Sequence, residues 1–572
     1  MTGRQRIIGG LLLTGIGIMV LASNSKRPVK PKDGMGSDES QDDGSPTLRH
    51  GVEMSTPDPD QPANGAHPRA VSDLTAHSDR SDAAIDLTTE SVVDPDRFTP
   101  PSVAPTVLSK GQKVAILLGL VALAGGFTVA PVITIVALNG VVVAFYIASN
   151  SMKVFLITRA LNDPRTVRVH AASDRIPDDQ LPVYTILLPV YREAALLAQL
   201  VDGIQALDYP DHRLDVKLLL EEDDVETRDA AADMDLPDCF DVSVVPAVGP
   251  TGKPRACNHG LANARGEYLV IFDAEDRPEA DQLRRSVLAF RETSPEVVCL
   301  QAQLNYFNRT RNLLTRWFTA EYSVWFDQLL PGLQGLDVVI PLGGTSNHFI
   351  TARLREIGGW NAFNVTEDAD LGLRIFLRGW KTAILATTTY EEATSRYQNW
   401  IRQRSRWVKG YVQTYLYHMR RPFRLAGQMG PKAFVAFQLF FGANTLCLLL
   451  NPVFWGLTIL WFASHFHLIQ VAFPGPVLYL SMIGLFIGNA ACVLSMVSGC
   501  FGRRNYEDVK YALLVPVYWV LMSVAAWKAV VQLFYKPTYW EKTEHGFCLY
   551  EQDEDGQATA SELAPVDVLS AS

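Results

Sequence analysis

Glu367, Asp368 and Asp370 crowd into the stretch Thr366-Glu367-Asp368-Ala369-Asp370-Leu371-Gly372. Some way downstream comes Gln403-Arg404-Ser405-Arg406-Trp407, cationic and indole-bearing, and soon after it a long apolar stretch. A carboxylate held near apolar surroundings and fixed cations can be tuned as the base that takes a proton from a hydroxyl. If the second stretch is helical, Gln403, Arg406 and Trp407 fall at i, i+3 and i+4 and share a face with Trp400. Guanidinium groups there can hold an anionic leaving group, and the indole can stack on a flat ring. The pair of motifs implies transfer of a group from a phosphate-bearing donor to an alcohol, carried out beside a membrane.

Other stretches carry chemistry more weakly. Asp273-Ala274-Glu275-Asp276 closes an apolar run, and carboxylates at i and i+2 can face one Mg²⁺ or Mn²⁺ that a diphosphate would complete. A second acidic cluster, Glu221-Glu222-Asp223-Asp224, stands in the same kind of place. Gly252-Lys253-Pro254-Arg255 is either a solvated turn or a contact from Lys253 or Arg255 to a nucleotide diphosphate. Leu342-Gly343-Gly344-Thr345-Ser346-Asn347-His348 allows close backbone approach; His348 reads as a hydrogen-bonded structural residue before it reads as a base. Residues 315–326 are aromatic-rich at helical spacing and suit either a membrane-surface helix or a packed one.

The elements that must position these residues follow from the apolar pattern. Val183-Tyr184-Thr185-Ile186-Leu187-Leu188-Pro189 predicts a buried strand, with helical spacing after it over 193–207. Strands are also predicted over 216–220 and 268–272, each ending in one of the acidic clusters. Strands alternating with helices imply a largely parallel sheet whose ligands sit at the carboxyl ends of its strands.

The chain has 572 residues, a formal charge of −10 and 48% hydrophobic residues. A mean hydropathy of +0.06 beside long polar stretches means that strongly apolar segments are hidden in the average. No basic domain dominates, which argues against nucleic acid as a partner. The cysteines show no CxxC pair and read as reduced buried thiols, with no zinc site. Residues 1–23 read as a signal-like segment or membrane anchor, and 24–112 as a disordered polar tail. Residues 113–153 are too long for one crossing of a ~30 Å apolar layer and read as a transmembrane hairpin. A globular domain is expected over 180–421. A membrane region of about four helices follows over 432–536, with spans at 433–450, 452–468, 476–498 and 511–534 and a break at Asn451-Pro452; three spans is the rival count. Four spans leave Arg503, Arg504 and Lys510 on the far side from the globular domain, against the positive-inside tendency. Residues 551–572 read as an acidic disordered tail.

In their order, these stretches resemble the catalytic core of the membrane-embedded family 2 glycosyltransferases, the group of cellulose, hyaluronan and chitin synthases. The resemblance runs through Leu188-Pro189-Val190-Tyr191-Arg192-Glu193, the 221–224 acids, residues 253–261, Asp273-Ala274-Glu275-Asp276, Thr366-Glu367-Asp368 and Gln403-Arg404-Ser405-Arg406-Trp407. Within the group it is most similar to the bacterial cellulose-synthase-like subset, through Leu342-Gly343-Gly344-Thr345-Ser346-Asn347-His348-Phe349 and the closing Tyr539-Trp540-Glu541-Lys542-Thr543-Glu544-His545-Gly546.

The resemblance implies an α/β domain of GT-A type, Rossmann-like with a mixed sheet, inserted between transmembrane helices. It implies inverting transfer from a UDP-sugar to a growing β-linked polysaccharide, with Asp368 as base and Glu367 beside it. Asp273 with Glu275 or Asp276 would bind Mg²⁺ or Mn²⁺; here Glu275 replaces the usual second Asp. Tyr191, Glu193, Glu221, Asp223, Asp224 and Lys253 would line the donor, and Gln403, Arg406 and Trp407 the diphosphate and acceptor. Residues 537–550 would form a gating segment carrying Trp540, Lys542, Thr543 and His545. The implied setting is a bacterial inner membrane with the catalytic domain cytoplasmic, the bilayer itself as a partner and periplasmic export or accessory subunits beyond it. No RxxxR…D/N-x-S-x-x-G pattern follows the last span, so no cyclic di-GMP-binding PilZ domain is expected.

Overall fold

The computed structural model describes residues 106–162, 165–169, 176–247, 252–465, 467–537, 539 and 541–542. The expectations for 1–23 and 551–572, for the tail up to 105, and for Trp540, Thr543 and His545 lie outside the described residues.

Three apolar runs, with a further strand at their edge, form the parallel half of one sheet. These are β1 (Tyr184–Val190), β2 (Leu214–Glu221) and, after the edge strand β3 (Phe240–Val245), the short β4 (Tyr268–Ile271). β1 and β2 are buried nearly throughout because helices cover both faces of the sheet. On one face β1 packs with α3 (Leu197–Gln205) and α6 (Gln282–Glu292), and on the other with α5 (Lys253–Ala262). Between them α4 (Val225–Ala232) follows β2. β5 (Arg277–Pro278), β6 (Val297–Tyr306), β7 (Asn347–Ile350) and β8 (Lys381–Glu391) complete eight strands in the order β3-β2-β1-β4-β7-β6-β8-β5.

The sheet is mixed, where strand–helix alternation alone implied a largely parallel one. β7 runs antiparallel to both β4 and β6. That reversal matters for the site. It sets the end of β4, leading into Asp273, beside the start of β7, which the Gly343-Gly344-Thr345-Ser346 loop enters; Ser346 donates its N–H to Ile271 O at 2.8 Å.

The aromatic helix α7 (Leu313–Val324) continues through a π-helical turn and buries Trp317 and Phe318. It is packed inside, between β6 and the apolar helices, so the packed alternative holds over the membrane-surface one. After α8 (Thr351–Ile357) come α9 (Glu367–Leu377) and the long α10 (Tyr397–His418).

Among the described residues five helices are long and apolar enough to cross a membrane: α1 (Lys110–Val129), α2 (Pro131–Asn162), α11 (Pro422–Ser464), α12 (Gly475–Gly502) and α13 (Val515–Tyr535). The break expected at Asn451-Pro452 is absent. The helix runs through Pro452, so the spans expected at 433–450 and 452–468 are one, and three long apolar helices follow the globular domain instead of four. A proline is tolerated in such a helix where neighbours and local adjustment satisfy the freed carbonyl. The real interruption lies at Gly430, with φ of 73°, just before Pro431.

This correction removes the charge anomaly. Arg503 forms a two-pronged pair with Asp327, 2.6 and 2.7 Å, and reaches Thr388 Oγ1 at 3.0 Å. Asp508 accepts from Arg309 and Arg316. The loop after α12 therefore lies against the α/β domain. The ends of α1 and α2 do too, through Gln112 Nε2 to Leu416 O at 2.7 Å and Arg159 Nη2 to Gly335 O at 2.9 Å. Both ends of α13 are tied to the same side: Tyr518 to Glu321 at one end, Pro537 O to Gln413 and Tyr539 O to Lys409 at the other. In a cysteine-free background, Arg504→Cys in sealed vesicles is expected to react with an impermeant maleimide from the same side as Lys110→Cys, and Ser464→Cys from the opposite side.

Candidate active site

The two motifs meet because α10 lies across the loop that leads into α9. At the crossing, a Cβ on Gly410 would fall 2.4 Å from Thr366, so only glycine allows the approach. On either side of it, Asn364 Nδ2 donates to Thr414 Oγ1 at 2.8 Å and His418 Nε2 contacts Asp370 at 2.9 Å. Arg374 holds the same Asp370 carboxylate at 2.8 Å. Burial disfavours its charge, but Arg374 and His418 outweigh that and keep Asp370 below its ordinary value. Asp370 therefore fastens the helices and is not available as the base.

Asp368 sits in the first turn of α9, where its Oδ1 accepts the Ala369 N–H at 2.7 Å. Beside it, Lys253 at the start of α5 donates to Gly344 O at 2.8 Å and to Asp273. A Cβ on Gly344 would stand 3.6 Å from Asp368 Oδ2 and 4.0 Å from Lys253 Nζ, so these groups share one small space above the Gly344 turn. Burial raises both Glu367 and Asp368 above ordinary carboxylates, while Lys253 and Arg406 draw them back. Burial opposes the Lys253 ammonium, yet Asp273 and Glu367 hold it above its usual value. Burial likewise lowers Arg406, against the pull of Glu367, Asp368 and Asp273. The structure thus brings Asp368, Glu367, Asp273, Lys253 and Arg406 together from four separate elements.

The acidic turn after β4 is only partly as expected. Asp276 Oδ2 accepts the Asp273 N–H at 2.7 Å and the Thr345 hydroxyl, which shapes the turn and ties it to the β7 loop. Its Oδ1 is buried without a partner. Burial, then Asp273 and Glu275, push its carboxyl well up. Glu391, at the end of β8, is pushed up by burial and then by the same three carboxylates. Among the described residues no three such groups are already gathered as a metal site. The chemistry of the cluster still fits a hard divalent cation: its donors are carboxylate oxygens only, one of them orphaned.

The end of β2 and the loop after β1 form a second wall. Tyr191 donates its hydroxyl to Asp223 at 3.2 Å, and Asp224 accepts the Arg192 N–H at 2.5 Å while capping α4 through the Thr227 N–H. Glu221 accepts the Gly252 N–H at 3.1 Å; burial raises its carboxyl, and its Oε2 is unpartnered. The Nε and Nη1 of buried Arg255 are unpartnered as well. Lys542 of the closing segment reaches the Tyr191 carbonyl, the Arg192 carbonyl at 3.2 Å and Glu193 at 3.6 Å. His348 is structural: Tyr184 and Gln282 hold its two nitrogens, and burial lowers it to about 3.

Trp407 and Gln403 stand on α10 beside α7. The Trp407 ring lies 5.9 Å from Phe318 and 6.2 Å from Tyr322, and Gln403 Oε1 is buried without a partner. Sequence reasoning missed what orients that face. The Arg404 guanidinium lies 4.7 Å from the Trp407 ring, 4.4 Å from Phe318 and 5.5 Å from Trp400. It pairs in two prongs with Glu321 of α7, whose carboxylate also accepts the Tyr518 hydroxyl at 2.6 Å. The signal available was Glu321 itself, a lone acid within an aromatic helical run. Removing one member of such a half-buried pair leaves the other uncompensated. Arg404→Met should therefore lower the melting temperature sharply, at a cost on the order of 3 kcal/mol. The Arg404→Met/Glu321→Leu double variant should recover part of that loss in a thermal melt.

Residues 182–410 match the family described as glycosyltransferase-like family 2. The probable glycosyltransferase YdaM of Bacillus subtilis (strain 168) is 23% identical over 386 residues, 66% of this chain and 89% of that protein. Beta-monoglucosyldiacylglycerol synthase of Synechocystis sp. is 30% identical over 245 residues, 42% of this chain and 50% of that one. Glucomannan 4-beta-mannosyltransferase 2 of Arabidopsis thaliana is 27% identical over 251 residues, 41% and 46% of the two chains. Each of the last two matches is confined to half or less of the relative's own length.

Proposed function

Starting from residues 182–410 as a family 2 glycosyltransferase domain of GT-A-like fold, we propose that this enzyme inverts a UDP-sugar onto an acceptor hydroxyl at a membrane and repeats the step, extending a β-linked polysaccharide. The observation that carries the reading is the Gly344 turn, where Asp368, Lys253 and the end of β4 share one space. Asp368 takes the acceptor proton as the hydroxyl attacks the anomeric carbon from the face opposite the departing UDP. Burial keeps the base's affinity for protons high, with Glu367 buried beside it. Lys253 and Arg406 hold the diphosphate, and Gln403 and Trp407 seat the acceptor sugar. Tyr191, Glu193, Glu221, Asp223 and Asp224 line the nucleoside. Asp273 with Glu275 would hold Mg²⁺ or Mn²⁺, which when bound neutralises charge on the leaving diphosphate; Asp276 shapes the turn they stand on.

The narrower likeness to the cellulose-synthase-like subset rests on the Leu342-Gly343-Gly344-Thr345-Ser346-Asn347-His348-Phe349 motif and on the closing segment. Residues 537–550 then act as a gate beside the nucleoside wall, a reading that the Lys542 contacts to Tyr191 and Arg192 support. The apolar helices α1, α2, α11 and α12 are read as spanning a bacterial inner membrane with the domain cytoplasmic, since Lys110, Lys113, Arg421, Arg424 and Arg503 all belong to helix ends on the domain's side, while α13, tied to the domain at both ends, is read as lying along that side. A second reading, addition of one sugar to a lipid, is favoured by the name of the Synechocystis relative. Product length with purified protein and labelled UDP-sugars separates the two: a ladder supports extension, and products one sugar longer support the second.

Asp368→Asn should lower turnover by about three orders of magnitude or more with UDP affinity kept within a few-fold, checked by transfer assay and calorimetry. The raised pKa values fix a sign for pH. The base works ionised, so kcat/KM should fall as pH drops through an apparent pKa of the Glu367–Asp368 pair that lies above the ordinary carboxylate value of about 4. Asp273→Ala should blunt the response of donor binding to added Mn²⁺; an unchanged metal titration would remove Asp273 from that role.

A further inference from the structure

Where the start of α1 meets the end of α10 stands a patch of cations, of which Lys110, Lys113, Arg421, Arg424 and Lys432 form no ion pair among the described residues. Lys110, Lys113, Arg421, Arg424 and Lys432 are exposed, and Arg420 is half-buried. Gln112 Nε2 to Leu416 O at 2.7 Å and Arg420 Nη2 to Thr106 O at 2.6 Å clasp the two segments together. No carboxylate occurs in 106–162 or in 393–506, although the chain as a whole is acidic. None of these side chains belongs to the cluster around Asp368. In their midst Phe423 is 92% exposed, and immediately beyond the lysines the exposed apolar surface begins, with Val114 at 55%, Leu117 at 60% and Val435 at 54%.

We propose that this corner seats the headgroups of anionic membrane phospholipid, with Phe423 among the acyl chains beside them. The order of surfaces argues for it: phosphate-binding cations first, then an apolar collar, matching head and tail of a lipid. A nucleic acid would leave Phe423 and the collar uncovered, and an acidic peptide would leave the collar. The proposal rests on the reading of α1 and α11 as membrane-crossing helices and goes beyond it, since positive charge on one side sets orientation without selecting a lipid.

The test uses the full chain in detergent, offered equal phosphatidylglycerol and phosphatidylcholine, with bound lipids counted by native mass spectrometry. The wild type should retain phosphatidylglycerol about tenfold over phosphatidylcholine or more, and added salt should erode that preference. Each cation removed should cost about fivefold, so Arg421→Gln/Arg424→Gln/Lys432→Gln should abolish the preference. Arg421→Lys/Arg424→Lys should keep it, and Phe423→Ser should weaken retention of both lipids. Full preference in the triple variant overturns the proposal, and so does a salt-insensitive preference in the wild type, which decides the matter if the triple variant fails to fold. Carbonate extraction of native membranes separates the premise: release of the wild-type chain would defeat the membrane reading itself.

Discussion

Everything at the proposed catalytic cluster depends on the Lys253 ammonium. Asp273, Glu367 and Asp368 come from β4 and α9, and their charges would repel one another in a space with little water. Lys253, held by the Asp273 carboxylate and the Gly344 carbonyl, offsets that repulsion from the centre. Arg406 approaches the same acids from α10. A base is useful here only if it is ionised and yet hungry for a proton. Burial supplies the second condition and the two cations the first. Fold and chemistry are coupled at this point, because the antiparallel turn of β7 is what carries Gly344 to within reach of Lys253.

The same logic of one charge serving several elements recurs at Arg404. Its guanidinium joins α10 to α7 through Glu321, while the shared carboxylate draws in Tyr518 of α13. Three helices are thereby keyed to one another by groups whose removal singly is costly. The ring of Trp407 rests against that guanidinium, so the indole proposed to receive the acceptor is oriented by a residue that does not touch it.

What could be read from the residue order was the chemistry of each motif. What could not was how the motifs meet. The acids of α9 and the basic indole-bearing face of α10 are recognisable from types and spacing. Their meeting depends on Gly410 pressing on Thr366 and on Asn364 finding Thr414, contacts between segments that no local period announces. Glu321 and Arg404 are 83 residues apart and belong to different patterns, so each alone reads as a surface charge. Asn451-Pro452 misled for the opposite reason. The proline rule is local, while an apolar helix packed on its neighbours tolerates a missing N–H, and the contacts of Arg503 set the end of α12 against the α/β domain. The tie of Asp276 to Thr345 was equally unannounced, because that partner comes from a loop far along the chain.

The helix α13 turns these separate observations into one constraint. Near its start Tyr518 is locked to Glu321 and Arg404, next to Trp407. Past its end the chain is held at Lys409 and Gln413, and Lys542 then grips the Tyr191 loop proposed to line the nucleoside. A 21-residue helix spans about 30 Å and bends only at a cost. Withdrawal of the closing segment from Tyr191 must therefore either uncouple residues 536–542 from the helix or shift Tyr518 within a close-packed aromatic cluster, which resists small displacements. The first route leaves Trp407 undisturbed and the second moves it. Because Lys409 and Gln413 anchor Tyr539 and Pro537 to α10 itself, the gating proposed for the closing segment would leave the indole of Trp407 where Arg404 holds it.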